Sequence, residues 1–248
     1  MATKATGSET FDLGRVVQRG IDAFRKQALV FVGLALILVG IPALLMQIFF
    51  ARQLASGDFS AMFSPVPVVA FLVLTLAGYL LQAAVVRVTI RSLSGDPVEL
   101  GSNLLFALKI LLPVVGLSLL VALVAMLGLI LLIVPGVMFL IASSVAIPVL
   151  VEERPGVIAS IKRSFELTRG SRWWILLLLV LLLFASSILS GARMAAFPST
   201  FGLVPAALES LFSAISSLIF SIFLASLYLE LRLIKEGVGA QGLAAIFE

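Results

Sequence analysis

The sequence predicts an all-α, polytopic integral membrane protein, with six transmembrane helices and three cytoplasmic amphipathic helices lying at the membrane surface. Of its 248 residues, 61% are hydrophobic and 12% are charged, whereas a soluble domain has about 25% charged residues. The mean hydropathy is +1.22. The charge-free stretches are long enough to cross a bilayer, and the basic residues lie almost entirely on one side of them.

Four of the predicted spans are continuous apolar stretches of about 20 residues or more, the length that crosses a hydrocarbon core. The 42 residues between Lys109 and Glu152 carry no charge, and as one helix they would be about 63 Å long. We therefore expect a hairpin turn at Pro135-Gly136, which divides this stretch into two spans, the second of them short. The six predicted spans of this single membrane domain, 1–248, are residues 28–50, 66–86, 110–134, 137–151, 173–192 and 210–229.

The basic residues predict the orientation of these spans. Of the 17 Lys and Arg side chains, 15 lie on one side, and Arg52 and Arg193 lie on the other. Because cytoplasmic loops carry the excess of Lys and Arg, we predict cytoplasmic N- and C-termini and expect a bacterial inner membrane. A cleaved signal peptide is the alternative for residues 28–50, but its apolar core would be only about 7–15 residues long.

A short amphipathic segment precedes each pair of spans. In the third segment, Ile161 and Phe165 share the apolar face, and Lys162 and Arg169 lie on the polar face. Such segments are typical of helices in the headgroup layer. The recurrence suggests three parallel repeats, and the alternative is an ordinary six-span protein, because identity between the units is low. The three segments cover about residues 11–26, 97–108 and 156–169.

The composition excludes several kinds of chemistry. The chain has neither His nor Cys, and therefore lacks the commonest metal ligands, the commonest general base and any disulfide. None of its 13 acidic residues falls within a predicted span, whereas intramembrane aspartyl proteolysis and proton-coupled transport need titratable groups there. We therefore expect no catalytic residue, metal or cofactor. Topology accounts for the basic residues, so the net charge of +4 does not indicate nucleic-acid binding.

The start of the fifth span and the amphipathic segment before it form the candidate binding site. Each Lys or Arg near an anionic leaflet contributes about 1 kcal/mol, and tryptophan is enriched at the membrane interface. We therefore predict anionic membrane lipids as the partner, although the same residues would also serve to set topology alone. The candidate headgroup-binding residues are Lys162, Arg163, Arg169, Arg172, Trp173 and Trp174.

Small residues at four-residue spacing form a ridge on the last span. Such a ridge lets helix backbones approach closely, and its hydroxyl groups can bond across the contact. We expect an internal helix contact, with a homo-oligomer face as the second interpretation. Because the fifth span also carries serines, a transporter or channel with a central cavity lined by both spans is the alternative function. The ridge comprises Ser213, Ser217, Ser221 and Ala225, with Ser210 and Ala214 beside it and Ser186 and Ser190 on the fifth span.

A motif of about 40 residues lies between the fourth and fifth spans. A Pro-Gly turn is followed by a run that ends in Val-Glu, then by an Arg-Ser-x-x-Leu-Thr-x-Gly helix and a Trp-led span. The residues concerned are Pro135-Gly136, Val151-Glu152, Arg163-Ser164, Leu167-Thr168, Gly170 and Trp173-Trp174. The motif resembles the membrane-domain family that is named after glycerophosphoryl diester phosphodiesterases, together with related six-span bacterial inner-membrane proteins.

The resemblance implies a polytopic membrane module, which some relatives fuse to a soluble phosphodiesterase domain. It supplies no catalytic residue, and the phosphodiesterase domain needs His, which this chain lacks. We therefore expect a non-enzymatic protein that interacts with lipids or supports membrane organisation. An enzyme acting on lipid would have only Ser, Lys and Arg for its acid–base chemistry, and is the least favoured hypothesis.

Overall fold

The computed structural model describes residues 11–57, 60–94, 98–196 and 202–237, and the regular structure in these ranges is helical throughout. Six helical segments in them are long and apolar enough to cross a membrane, which confirms the predicted class and number of spans. The helices are α1 (Leu13–Ala35), α2 (Ile41–Ser56), α3 (Val66–Ser94), α4 (Leu100–Lys109), α5 (Leu111–Leu131), α6 (Ile133–Ser143), α7 (Ala146–Glu152), α8 (Val157–Thr168), α9 (Arg172–Ala196) and α10 (Leu203–Glu236).

The first amphipathic segment and the first span form one long helical rod. A π-helical turn, Leu36–Gly40, joins α1 to α2 without a loop. The rod bends at Gln27, whose φ of −133° and ψ of 32° leave the helical region, and this residue lies between the predicted segment and the predicted span. The first segment buries Val16 and Ala23 but leaves Val17 and Ile21 exposed, and its place at the membrane surface stays a prediction.

The hairpin between the third and fourth spans turns at Leu132, not at Pro135-Gly136 as predicted. Leu132 is extended, with φ −158° and ψ 128°, and it separates α5 from α6. Pro135 lies in the first turn of α6, where a missing backbone N–H removes no helical hydrogen bond. Gly136 packs directly on α5. The contact is so close that a Cβ at this position would lie 2.6 Å from the backbone nitrogen of Leu129. The fourth span therefore covers Ile133–Glu152, rather than 137–151.

The last helix is longer than the predicted span. α10 has 34 residues, about 51 Å, because it continues through the charged residues that bound the prediction. At one end of it, Glu209 pairs with Arg193 of α9 at 2.8 Å. Its other half forms much of the core, where Ala225, Leu227 and Tyr228 are completely buried. The threefold repeat stays a prediction.

Candidate functional site

Three of the predicted headgroup-binding residues line one cavity, between α6 and the start of α9. Arg169, Arg172 and Trp173 form one side of it, and the space has a volume of about 400 Å³. The opposite wall is apolar and comes mainly from α6. The other lining residues are Ile133, Val134, Val137, Met138, Ile141, Gly170 and Leu176.

The turn between α8 and α9 holds the two arginines at this cavity. Thr168 is the last residue of α8, Arg169 is extended, and Gly170 has a φ of +94°. The sequence predicts a positive φ at Gly170, because a helix commonly ends in a left-handed glycine, and the structure confirms it. The next helix begins two residues later at Arg172, so both arginines stay within one short turn.

Two hydroxyl groups dock α8 against the end of α6. Ser164 donates to the carbonyl oxygen of Ala142 at 2.7 Å, and Thr168 lies 3.4 Å from the same oxygen. Both side chains are completely buried. The carbonyl that they contact lies near the end of α6, shortly before Val145, the non-helical residue at which α7 begins. The Arg-Ser-x-x-Leu-Thr motif therefore includes two residues that fix α8 relative to the cavity.

The cavity presents guanidinium groups beside an apolar wall. Arg172 lies over the ring of Phe165, with 5.9 Å from its guanidinium carbon to the ring centroid. Its buried Nε has no hydrogen-bond partner among the described residues. Arg169 is exposed. Guanidinium N–H groups bind carboxylate and phosphate oxygens. The cavity therefore combines hydrogen-bond donors for an anion with an apolar surface on which a hydrocarbon chain can pack.

The other three predicted residues lie elsewhere. Arg163 forms ion pairs with Glu153, at 3.2 Å, and with Glu236, and its charge is therefore largely neutralised within the protein. Lys162 is exposed beside a separate depression at the start of α8. Trp174 stacks on Phe11, with 6.4 Å between ring centroids. The prediction thus treats as one set residues that the fold divides among four places.

A buried carboxylate that sequence reasoning missed joins the two ends of the described chain. Glu230 of α10 is completely buried, and its carboxylate contacts Arg15 at 2.7 Å and Arg19 at 2.8 Å. The backbone N–H of Asp12 also points to it, at 3.4 Å. By the predicted bounds of the last span, residues 210–229, Glu230 belongs to the polar C-terminal tail. The contacts instead fasten the amphipathic part of α1 to α10.

A second polar network lies near the end of α10. Tyr228 donates to Glu153 at 2.9 Å and accepts from Arg232 at 3.2 Å. Arg232 in turn pairs with Glu236 at 2.8 Å. Together with Glu230, these residues hold α1, α7, α8 and α10 together at one end of the bundle. Of the 15 Lys and Arg residues predicted to be cytoplasmic, eight belong to α1, α8 and α10.

The serine ridge packs partly inside the protein. Ser221 and Ala225 are buried, whereas Ser213 and Ser217 are partly exposed. The hydroxyl of Ser221 bonds back to the carbonyl of Ser217 in its own helix, rather than across a helix contact. The neighbouring row makes the close approach, since Ala214 lies opposite Gly40, where a Cβ would be 3.6 Å away.

The described residues contain no group of three or more acidic side chains that could hold a metal ion. No protein-family model matched the chain, and no similar curated protein or solved structure was found. The resemblance to the membrane-domain family therefore stays a prediction that rests on its motif.

Proposed function

We propose that this chain is a non-enzymatic, multi-pass protein of the bacterial inner membrane that binds an anionic lipid in the cavity between α6 and α9. The observation that carries the proposal is the joint presence of Arg169, Arg172 and an apolar wall of α6 in one space. A lipid has the matching chemistry, because an anionic headgroup is attached to hydrocarbon. The buried, unpartnered Nε of Arg172 supports this ligand class, since a buried polar group is normally hydrogen-bonded.

The alternative of a serine-lined transport path receives less support. Ser186 and Ser190 lie on an exposed face of α9, and the hydroxyl of Ser186 bonds back to the carbonyl of Leu182. Transport through a cavity between α9 and α10 requires these serines to face α10. In the described part of the chain they do not form such a lining, so lipid binding is the function we propose.

The first test measures lipid retention. We expect R169Q/R172Q to retain at least tenfold less anionic lipid than the native chain, because even one lost charge-assisted hydrogen bond costs about 1.5–3 kcal/mol. Native mass spectrometry of the detergent-purified protein measures the bound phosphatidylglycerol directly. The matched control is R52Q/K162Q, which removes the same charge from two exposed residues outside the cavity. Equal retention by the two double variants contradicts the proposal.

The second test concerns orientation. We propose cytoplasmic termini, with the 3-10 turn Ser60–Phe63 on the opposite side of the membrane. Because the chain has no Cys, S60C supplies a single thiol at an exposed position. A membrane-impermeant maleimide is expected to label S60C from the periplasmic side, and the exposed S102C only from the cytoplasmic side. The reverse pattern overturns the orientation. The other predicted outer position, Ser199, lies outside the described residues.

A further inference from the structure

Two arginines lie over one aromatic ring at the end of the bundle that carries the polar networks, and a third arginine lies one helical turn from the first. Arg87 and Arg91 lie one turn apart on α3, Phe106 is on α4, and Arg154 is in the segment between α7 and α8. The guanidinium carbon of Arg87 is 4.0 Å from the centroid of Phe106, and that of Arg154 is 5.3 Å from it. Two consecutive helices and a segment much further along the chain therefore meet at this ring.

These arginines differ from others at this end because no carboxylate pairs with them. Arg15, Arg19, Arg163 and Arg232 each have a carboxylate oxygen within 4.0 Å. Within residues 11–57, 60–94, 98–196 and 202–237, no such ion pair involves the three arginines around Phe106. Their charges therefore remain available to a ligand.

The balance of charge at the ring is positive. Arg91 and Arg154 lie close enough to Arg87 to repel its charge, and Glu152 is the acidic group that attracts it. Glu152 also interacts with Arg232, which Glu236 already neutralises. Three cations thus face one nearby carboxylate, an arrangement that an added anion would stabilise.

The backbone also favours a binding role for Arg154. Its φ of +50° is the one positive value of a non-glycine residue in the described part of the chain. Such conformations are unfavourable for residues with a Cβ, and they concentrate where a side chain must be held for function. Phe106 is 7% exposed, so the ring is a fixed platform, whereas Arg154 is open to solvent.

We propose that Arg87, Arg91 and Arg154 bind a phosphate group over Phe106. A guanidinium that stacks on a ring keeps its N–H edge free, and that edge matches two oxygens of a phosphate. This site shares no residue with the cavity between α6 and α9, and the inference does not depend on the lipid proposed there. The phosphate belongs either to a lipid headgroup or to a soluble molecule.

Thermal unfolding of the full chain, in the presence of two probes, tests this site. Inorganic phosphate is compared with chloride at equal ionic strength in an uncharged detergent, and nanodiscs of phosphatidylcholine are compared with the same nanodiscs containing one part in four phosphatidic acid. A ligand that binds the folded state raises its unfolding temperature. We expect protection by phosphate if the site accepts the free ion, and protection by phosphatidic acid alone if it requires a headgroup at the membrane.

The variants are compared with whichever probe raises the unfolding temperature of the native chain. R91Q/R154Q is expected to bind that probe at this site at least tenfold more weakly, because two charge-assisted contacts are lost. R154K keeps the charge but loses the planar fork, so it is expected to bind several-fold more weakly and to fold even if the double variant does not. The control R25Q/R52Q removes the same charge from exposed positions and is expected to keep full protection. R169Q/R172Q removes the arginines of the lipid cavity instead: it is expected to keep full protection by inorganic phosphate and, with phosphatidic acid, to keep the part of the protection that R91Q/R154Q loses. Native-like protection of R91Q/R154Q or R154K, or no protection by either probe, overturns the proposal.

Discussion

Replacing Glu230 by Ala is expected to lower the free energy of unfolding by about 3 kcal/mol. Breaking a buried ion pair by removing one partner costs about 3–5 kcal/mol, since the remaining charge is left without compensation. Glu230 is completely buried, whereas the side chains of Arg15 and Arg19 are 36% and 25% exposed. The arginines keep some contact with solvent, which sets the expected loss at the low end of that range. Equilibrium unfolding in mixed micelles, followed by circular dichroism, measures it.

A matched control for this prediction is Glu166→Ala, which removes the same side chain from an exposed site. Glu166 is 70% exposed, and it pairs with Arg163 at 3.6 Å within α8, so its loss is expected to cost less than about 0.5 kcal/mol. The triple variant R15Q/R19Q/E230L is expected to recover part of the stability lost in Glu230→Ala, because it leaves no charge uncompensated. Equal losses for Glu230→Ala and Glu166→Ala contradict the role assigned to the buried carboxylate.

The ion pairs of Glu230 illustrate what the sequence could not predict. Spans were delimited by the absence of charge, a rule that ends the last span at Leu229 and assigns the next residue to solvent. A helix that packs against other helices of the same chain can continue past a charged residue. Here the arginines of α1 compensate the buried carboxylate of Glu230. The usable signal is a buried row at four-residue spacing that ends on the acid. This row consists of Ser210, Ala214, Leu218, Ile222, Ser226 and Glu230.

The number of spans was predictable because it depends on local properties of the chain. A charge-free stretch of 20 apolar residues forms a helix of the right length whatever it contacts. The left-handed Gly170 was predictable for the same reason, since a helix C-terminus determines its conformation locally. The position of the hairpin turn was not, because Leu132 carries no turn signal, and the Pro135-Gly136 dipeptide serves helix packing instead.

The cavity was predictable only on the side where its residues are neighbours in the sequence. Arg169, Arg172 and Trp173 lie within five positions, and a basic, aromatic segment beside a span indicates an interface. The apolar wall from α6 comes from residues more than 25 positions away. Nothing in the pattern of α6 distinguishes a wall of a cavity from a surface that faces lipid, so the pairing required the fold. For the same reason the sequence does not predict the site at Phe106, since the arginines over its ring come from two other parts of the chain.

Replacing Gly136 by Val is expected to disrupt the hairpin between α5 and α6. A Cβ at Gly136 would lie 2.6 Å from the backbone nitrogen of Leu129 and 2.7 Å from its Cγ. The backbone atom cannot rotate away as a flexible side chain would, so the two helices must separate. Overpacking of this kind typically costs about 1–3 kcal/mol, and we expect Gly136→Ala to lie in that range and Gly136→Val to exceed it. The fraction of monodisperse protein after detergent extraction, together with its unfolding temperature, measures the effect.

Gly116 supplies the control on the same hairpin. A Cβ there would meet its nearest neighbour, the Cγ2 of Val157, at 3.9 Å, which is ordinary van der Waals contact, and Ala favours a helix over Gly by about 1 kcal/mol. Gly116→Ala is therefore expected to leave stability unchanged or to raise it. If Gly136→Ala is as stable as Gly116→Ala, the close contact between α5 and α6 is wrong. Since α6 also forms the apolar wall of the cavity, a separated hairpin is expected to reduce lipid retention even with Arg169 and Arg172 intact.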